Sequence, residues 1–170
     1  MNPEENTLVK DCMMDALLRL MQQKPFEEIT VTELTRTAGV GRASYYRNFN
    51  SKRDILAKKL DLLLKEWGED FEAHGDAAYF TESIFRHFYQ NRKIYLLIYR
   101  QGLSDLIYDS IRRACQLETA QNPAERYAKS AFAGLTFGMI DEWMRRGMQE
   151  SPDELLRLAA VTTAGETKQA

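Results

Sequence analysis

The sequence predicts an all-α protein. All four prolines (Pro3, Pro25, Pro123 and Pro152) fall at the boundaries of apolar helical patterns, and no stretch shows the strict alternation or the Asn-Gly turns that mark strands. With 170 residues, 44% of them hydrophobic, the chain is long enough to bury a sizeable core.

Thr7 to Lys24 places Leu8, Cys12, Ala16 or Leu17, Leu20 and Met21 at helical spacing, and Pro25 stops it. After a PFEEIT link, Thr30 and Glu33 form a capping-box pair that opens a second helix, in which Val31, Leu34 and Ala38 share a face. Gly39 supplies the left-handed position that ends it. Val40 plugs the corner, and in the next helix Tyr45 and Phe49 point inward, leaving Arg42, Ala43, Tyr46 and Arg47 outside. Ser51 and Asp54 repeat the capping pattern and begin a helix expected to run to Trp67, with Gly68 as its first breaker.

His74, Gly75 and Asp76 mark the next break, followed by an aromatic helix from Tyr79 to Gln90. Ile94 to Arg100 is short and very apolar, closed by Gly102; periodicity alone would also allow a strand, and the helical neighbours decide it. Ser104 to Glu118 carries Leu106, Ile107, Ile111, Ala114 and Cys115 on one stripe. Pro123 begins a long helix ending at Gly147, after two arginines that suit the negative end of its dipole. Ser151 caps a last helix with Pro152 in its first turn, and the two are expected to pair as a hairpin. From Thr162 the tail is polar and expected to fray.

Charge divides the chain. From Arg36 to Lys59 seven basic residues stand against Asp54 alone, a local net of +6 in a chain of net −2. Such a cationic segment suits phosphate, although charge by itself also fits a solvated surface. No apolar run approaches the ~18 residues of a membrane span and the N-terminus lacks a secretory pattern, so a cytoplasmic location without membrane contact is expected. The two cysteines, Cys12 and Cys115, are too isolated for a disulfide framework or metal cluster. With two histidines and no phosphate-binding Gly-Lys-Ser loop, Gly-x-Ser-x-Gly elbow or His-Glu-x-x-His, neither catalysis, a metal nor a cofactor is expected.

The segment from Ile29 to Leu56 resembles the N-terminal domain of the TetR family of transcriptional regulators. The resemblance covers roughly the first sixty residues and rests on Ile-Thr-Val-x-Glu-Leu at 29–34, the Ala-Gly-Val turn at 38–40, and Tyr46, Phe49, Ser51 and Lys52 at the exit. Two positions depart from the commonest pattern: Gly41 stands where Ser or Thr often opens the recognition helix, and Asn48 where His is usual. The resemblance implies a helix-turn-helix DNA-binding domain over residues 1–58 and a helical effector-binding and dimerisation domain over 59–170. It implies Arg42, Ala43, Ser44 and Arg47 as base readers, and Thr32, Tyr46, Asn48 and Lys52 as phosphate contacts. For each arginine a plain phosphate contact is the alternative.

The aromatic surplus of the second half explains a packed core first and a ligand pocket second. The pocket candidates are Phe85, Phe88, Tyr89, Tyr95, Tyr99, Tyr108, Met139 and Trp143. The small residues Ala131, Gly134 and Gly138, with Leu135, Leu155, Leu158 and Ala159, are candidates for pairing with a second copy, as the family's last two helices do. The expected function is therefore a homodimeric, ligand-responsive transcriptional repressor on a palindromic DNA operator, with an unidentified small-molecule effector. A coregulator whose second domain binds a protein partner is the alternative.

Overall fold

A computed structural model describes residues 3–74 and 80–165, with side chains for 6–72 and 80–158. Every regular element among the described residues is a helix: α1 (Pro3–Met21), α2 (Val31–Ala38), α3 (Arg42–Asn48), α4 (Lys52–His74), α5 (Phe80–Gln90), α6 (Arg92–Arg100), α7 (Ser104–Ala114), α8 (Pro123–Arg145) and α9 (Pro152–Gly165). Single 3-10 turns lie at Phe26–Glu28 and Leu117–Thr119.

The first three helices close on a small core. Ala16 and Leu17 of α1, Phe26 and Ile29 of the link, Leu34 of α2, Tyr45 of α3 and Phe49 after it are all buried, together with Ile55 and Leu56 of α4. Thr30 caps α2 as expected, its hydroxyl accepting from the Glu33 amide at 3.2 Å. The Glu33 carboxylate meets the Lys24 ammonium in an ion pair that ties the end of α1 to α2. That hydrogen bond holds the Glu33 carboxyl below the usual carboxylate range. Gly39 takes φ +68°, and its amide and that of Val40 reach back to the last α2 carbonyls, which turns the chain into α3.

Several boundaries differ from expectation. α1 ends at Met21, short of Lys24, and starts earlier than Thr7. α4 does not stop at Gly68 but runs to His74. A mid-helix glycine costs only about 1 kcal/mol relative to alanine. Against that, Trp67 stacks on Phe71 with ring centroids 5.7 Å apart, and its indole N–H donates to Ser83 Oγ of α5 at 2.7 Å. The helix expected to reach Glu118 ends at Ala114, because Gln116 adopts φ +52° and turns the chain into the second 3-10 turn. α9 continues past Thr162 to Gly165. Gly75, Asp76 and Tyr79, expected at the break and the start of α5, lie outside the described residues, as does the tail beyond 165.

α4 carries the C-terminal helices. α7 lies along it, and the Arg113 guanidinium meets both oxygens of Asp61, with Arg53 paired to Asp105 nearer the start of α4. α8 packs on α7 and α6. Asn122 Oδ1 caps α8 by accepting from the Glu125 amide at 2.9 Å, with Pro123 in the first turn. Ser151 and Glu154 form a complete reciprocal box at the start of α9.

The expected α8–α9 hairpin is corrected. α9 packs chiefly on α5, fixed by the Arg86–Asp153 ion pair at 2.8 Å. Trp143 of α8 also turns toward α5, with its ring 6.0 Å from Phe85 and stacked on Tyr89 at 5.8 Å. A groove is left between α8 and α9.

Candidate nucleic-acid interface

α3 is a seven-residue helix whose two sides have opposite character. Tyr45 is buried and Phe49, its C-cap, is buried with it, their rings 6.3 Å apart. Burial raises the Tyr45 hydroxyl above its ordinary pKa, which keeps this core residue neutral. Three and four residues apart, the same helix then exposes Arg42, Ala43, Tyr46 and Arg47, with Ser44 and Asn48 half-buried at the margin. Tyr46 is 61% exposed, which is high for a large aromatic side chain held on a structured helix.

The exposed side chains are not independent. The Arg42 guanidinium donates to Tyr46 Oη at 3.2 Å and lies 5.9 Å from that ring, so the two project as a unit. Arg47 makes no such contact with Tyr46 and stands one residue further along. Thr32 and Arg36 are exposed on α2. Gly41 precedes α3 without a side-chain cap, consistent with the departure noted at this position. Asn48, the other departure, donates from its amide to Ser44 O at 2.9 Å, and the Asn48 carbonyl accepts from Lys58 Nζ at 2.9 Å.

Lys52 is placed differently from the phosphate contact expected of it. Its ammonium donates to Phe26 O at 2.7 Å and Ile29 O at 2.6 Å, with Glu27 O at 3.4 Å, and it lies 4.6 Å from the centre of the Phe26 ring. All three N–H bonds thus point to the carbonyls of the α1–α2 link. A lysine so engaged fastens α4 to the link rather than facing a phosphate. The link is held from the other side by Gln101, at the end of α6, whose Oε1 accepts from the Phe26 amide at 2.9 Å while Nε2 donates to Met21 O at 2.8 Å. Neither clamp has a sequence signature, since the partners of Gln101 lie 75 and 80 residues away.

The aromatic pocket expected in the C-terminal half is mostly core. Phe85, Phe88, Tyr95 and Trp143 are at most 1% exposed, and Tyr89, Tyr99 and Met139 pack partly buried against them. Tyr108 packs on Phe137 at 4.9 Å. In the centre His87 Nε2 and Tyr95 Oη share a 2.8 Å hydrogen bond, and burial pushes His87 down to about 4 and the Tyr95 hydroxyl up. The open space lies elsewhere. One cavity of about 380 Å³ opens among α4, α5, α7 and α8, with Leu64, Trp67, Phe80, Ile84, Ile111 and Phe132 in its walls. None of the expected pocket residues lines it; Trp67 and Phe80, which do, stand at positions where the pattern suggested helix ends.

A second, shallower space is the groove between α8 and α9, about 700 Å³, lined by Gly134, Leu135, Gly138, Met139, Trp143, Leu155 and Leu158. Leu135 is 69% and Leu158 56% exposed, Ala131 is exposed and Leu155 half-buried. Six of the residues expected to meet a second copy therefore sit together along this side, and Ala159 lies outside the described side chains. Among the described residues no group of three or more His, Cys, Asp or Glu could hold a metal ion, and no helix is long and apolar enough to cross a membrane.

Residues 13–58 match the family model described as bacterial regulatory proteins, tetR family, and residues 76–164, more than half of the chain, match that described as transcriptional regulator C-terminal region. Over 54 residues, 32% of this chain, the sequence is 37% identical to the HTH-type transcriptional regulator EthR of Mycolicibacterium smegmatis. That match spans 25% of the relative's length. In fold the chain is similar to Lin0861 from Listeria innocua, with a TM-score of 0.80 at 15% identity over 99% of this chain and 95% of that one. It is also similar to the fatty acid degradation regulator FadR from Bacillus halodurans, with a TM-score of 0.58 at 14% identity over 95% of each chain.

Proposed function

Because the chain belongs to the tetR family of bacterial regulatory proteins, and is a transcriptional regulator with a helix-turn-helix DNA-binding domain, we propose that it is a ligand-responsive repressor that binds a palindromic operator as a homodimer. The division of labour follows residues 1–58 for DNA and 59–170 for effector and partner copy, with the cytoplasm as the place of action.

The observation that carries the reading is the outer face of α3, where Arg42, Ala43, Tyr46 and Arg47 are exposed on a helix whose inner face is locked by Tyr45. A helix of this size enters the major groove, whose base edges present acceptors that a guanidinium grips bidentately at guanine. Arg47 is the proposed base reader, with Ala43 and Ser44 beside it. Arg42, steadied by Tyr46, and Thr32 on α2 are the proposed phosphate or base contacts at the margins. Asn48 has one of its two side-chain N–H groups engaged by Ser44 O, which leaves one donor for a phosphate and makes it a weaker candidate.

Dimerisation follows from the geometry of reading, because one such helix covers too few base pairs and a two-fold pair reads an inverted repeat. The α8–α9 face supports it, with Gly134 and Gly138 allowing close approach and Leu135 and Leu158 supplying apolar area. The cavity beside Trp67 supports a small-molecule effector over a protein partner.

Selection of duplexes from a random library by the purified protein, followed by light scattering of the complex, tests the proposal. The expected result is an inverted repeat bound by two chains. A single half-site bound by one chain at micromolar concentration would end the dimer reading.

A further inference from the structure

We infer that the cavity that opens among α4, α5, α7 and α8 takes an uncharged, predominantly apolar molecule of about two aromatic rings or the aliphatic equivalent. The inference rests on the reading that the C-terminal helices receive a small-molecule effector, and it specifies which space receives it and what chemistry that space accepts.

The volume, about 380 Å³, lies at the lower end of the range for small-molecule sites, which is about 300–1,000 Å³. The walls are aliphatic and aromatic, with the edge of Trp67 set against Phe80 at 5.2 Å and Phe80 against Phe132 at 5.2 Å. What decides the ligand class is where the polar side chains of the walls are already committed. The Trp67 N–H donates to Ser83 Oγ at 2.7 Å. Among the described wall residues the only charged one, Lys129, has its ammonium 2.8 Å from Glu125 Oε1 and 3.3 Å from the Gln116 carbonyl. The Lys129 hydrogen bond also holds the Glu125 carboxyl below the usual carboxylate range, so this partner stays ionised. Thr136 and Cys115 complete the polar side chains among the described wall residues, and burial pushes the Cys115 thiol up, which keeps it neutral at ordinary pH.

An anionic ligand would therefore have to share Lys129 with Glu125, and a cationic one would find no carboxylate among the described wall residues. A cation would lose hydration without a new partner and an anion would regain only a share of Lys129, a penalty that an uncharged molecule avoids while still burying its apolar surface. Ala128 and Phe132 of α8 are exposed at the rim and define the entrance. Leu64 and Trp67, on the opposite wall, belong to α4, the helix that begins just beyond α3, so an occupant touches the element that carries the recognition helix.

The test is calorimetric titration of the full chain with three molecules that share one ring system: biphenyl-4-methanol, biphenyl-4-carboxylate and biphenyl-4-methylammonium, at pH 7. The neutral alcohol is expected to bind at least about tenfold tighter than either ion, and its binding is expected to disappear in Ala128→Phe or Thr136→Phe. Ala128 is exposed, and a thermal melt matching the parent shows that the filled variant is folded. Tighter binding of either ion, no binding of any of the three, or equal binding of the alcohol to both folded variants and the parent overturns the inference. Operator affinity is measured in parallel with and without the alcohol. If the alcohol binds in the cavity and operator affinity does not change, the cavity chemistry stands and the ligand-responsive reading falls.

Discussion

The side-chain amide of Gln101 and the backbone of Phe26 meet across the junction between the DNA-binding helices and the rest of the chain, with Phe26 N–H donating to Gln101 Oε1 at 2.9 Å. The other end of the same amide donates to Met21 O, and the Phe26 carbonyl accepts from Lys52. One hydrogen-bonded path thus runs from the end of α6 through the link to the first turn of α4. Gln101→Leu keeps the size of the side chain and takes its bonds from three half-buried backbone groups, the Phe26 amide and the Met21 and Lys24 carbonyls. The expected cost is about 1–3 kcal/mol in denaturant unfolding, with faster amide exchange at Phe26. Unchanged exchange at Phe26 would show that water replaces the side chain without loss.

Lys52 separates a structural role from a DNA contact. With its ammonium on three link carbonyls, Lys52→Met is expected to lower stability by about 1–3 kcal/mol and to leave the slope of log affinity against log salt unchanged. A lysine on a phosphate would instead give a slope shallower by about one per subunit. The two readouts, melting curves and a salt series on the selected duplex, decide between them.

Arg47 is expected to carry sequence information. Arg47→Ala should weaken binding to the selected operator by about 1–3 kcal/mol per half-site and binding to scrambled duplex much less. Equal losses on both duplexes would reassign Arg47 to the phosphate backbone.

His87 makes stability depend on acid. Burial lowers its folded pKa to about 4 from an ordinary 6.5, so the folded chain resists a proton that the unfolded chain binds. The stabilisation is complete above the unfolded value and is lost as pH falls from about 6.5 towards 4. Between pH 7 and pH 5 the loss attributable to this residue is about 2 kcal/mol. His87→Gln keeps a polar partner for Tyr95 and should remove that part of the slope. Parallel pH profiles for the variant and the parent would refute the assignment.

Gly138 tests the second copy. A Cβ built there meets nothing within 4 Å inside the single chain, and the residue is exposed, so Gly138→Phe should fold and gain rather than lose helix propensity. If the α8–α9 face joins two chains, the variant should elute as a monomer while its melt stays cooperative. A dimer of parental affinity would move the interface elsewhere.

The parts of the fold that were legible in the sequence are those specified locally. Thr30, Gly39, Ser51 and Ser151 each signal a boundary through bonds to residues three or four positions away, Pro123 signals one by lacking an N–H, and the two sides of α3 follow from the spacing of Tyr45 and Phe49. What was not legible depends on distant partners. The signal for Lys52 is identical whether it meets a phosphate or three carbonyls some 25 residues earlier. An aromatic such as Phe88 or Tyr95 carries the same pattern in a core as in a pocket wall, and only the packing of α5 on α6 and α9 shows that these are filled. The missed wall residues, Trp67 and Phe80, flank the break in the pattern, where periodicity has least to say.

The unbroken course of α4 from Lys52 to Trp67 joins the end of α3 to the cavity wall through a single helix. From Trp67 in the cavity wall back to Lys52 the helix takes fifteen residue steps, or roughly 22 Å at about 1.5 Å per residue. With so rigid an arm, a tilt of about 5° at the cavity end becomes a displacement of about 2 Å at the other. Successive bases are only about 3.4 Å apart along the strand. On the reading that the cavity receives an effector, an occupant that tilted α4 by that angle at Trp67 would carry the α3 end through more than half of that spacing.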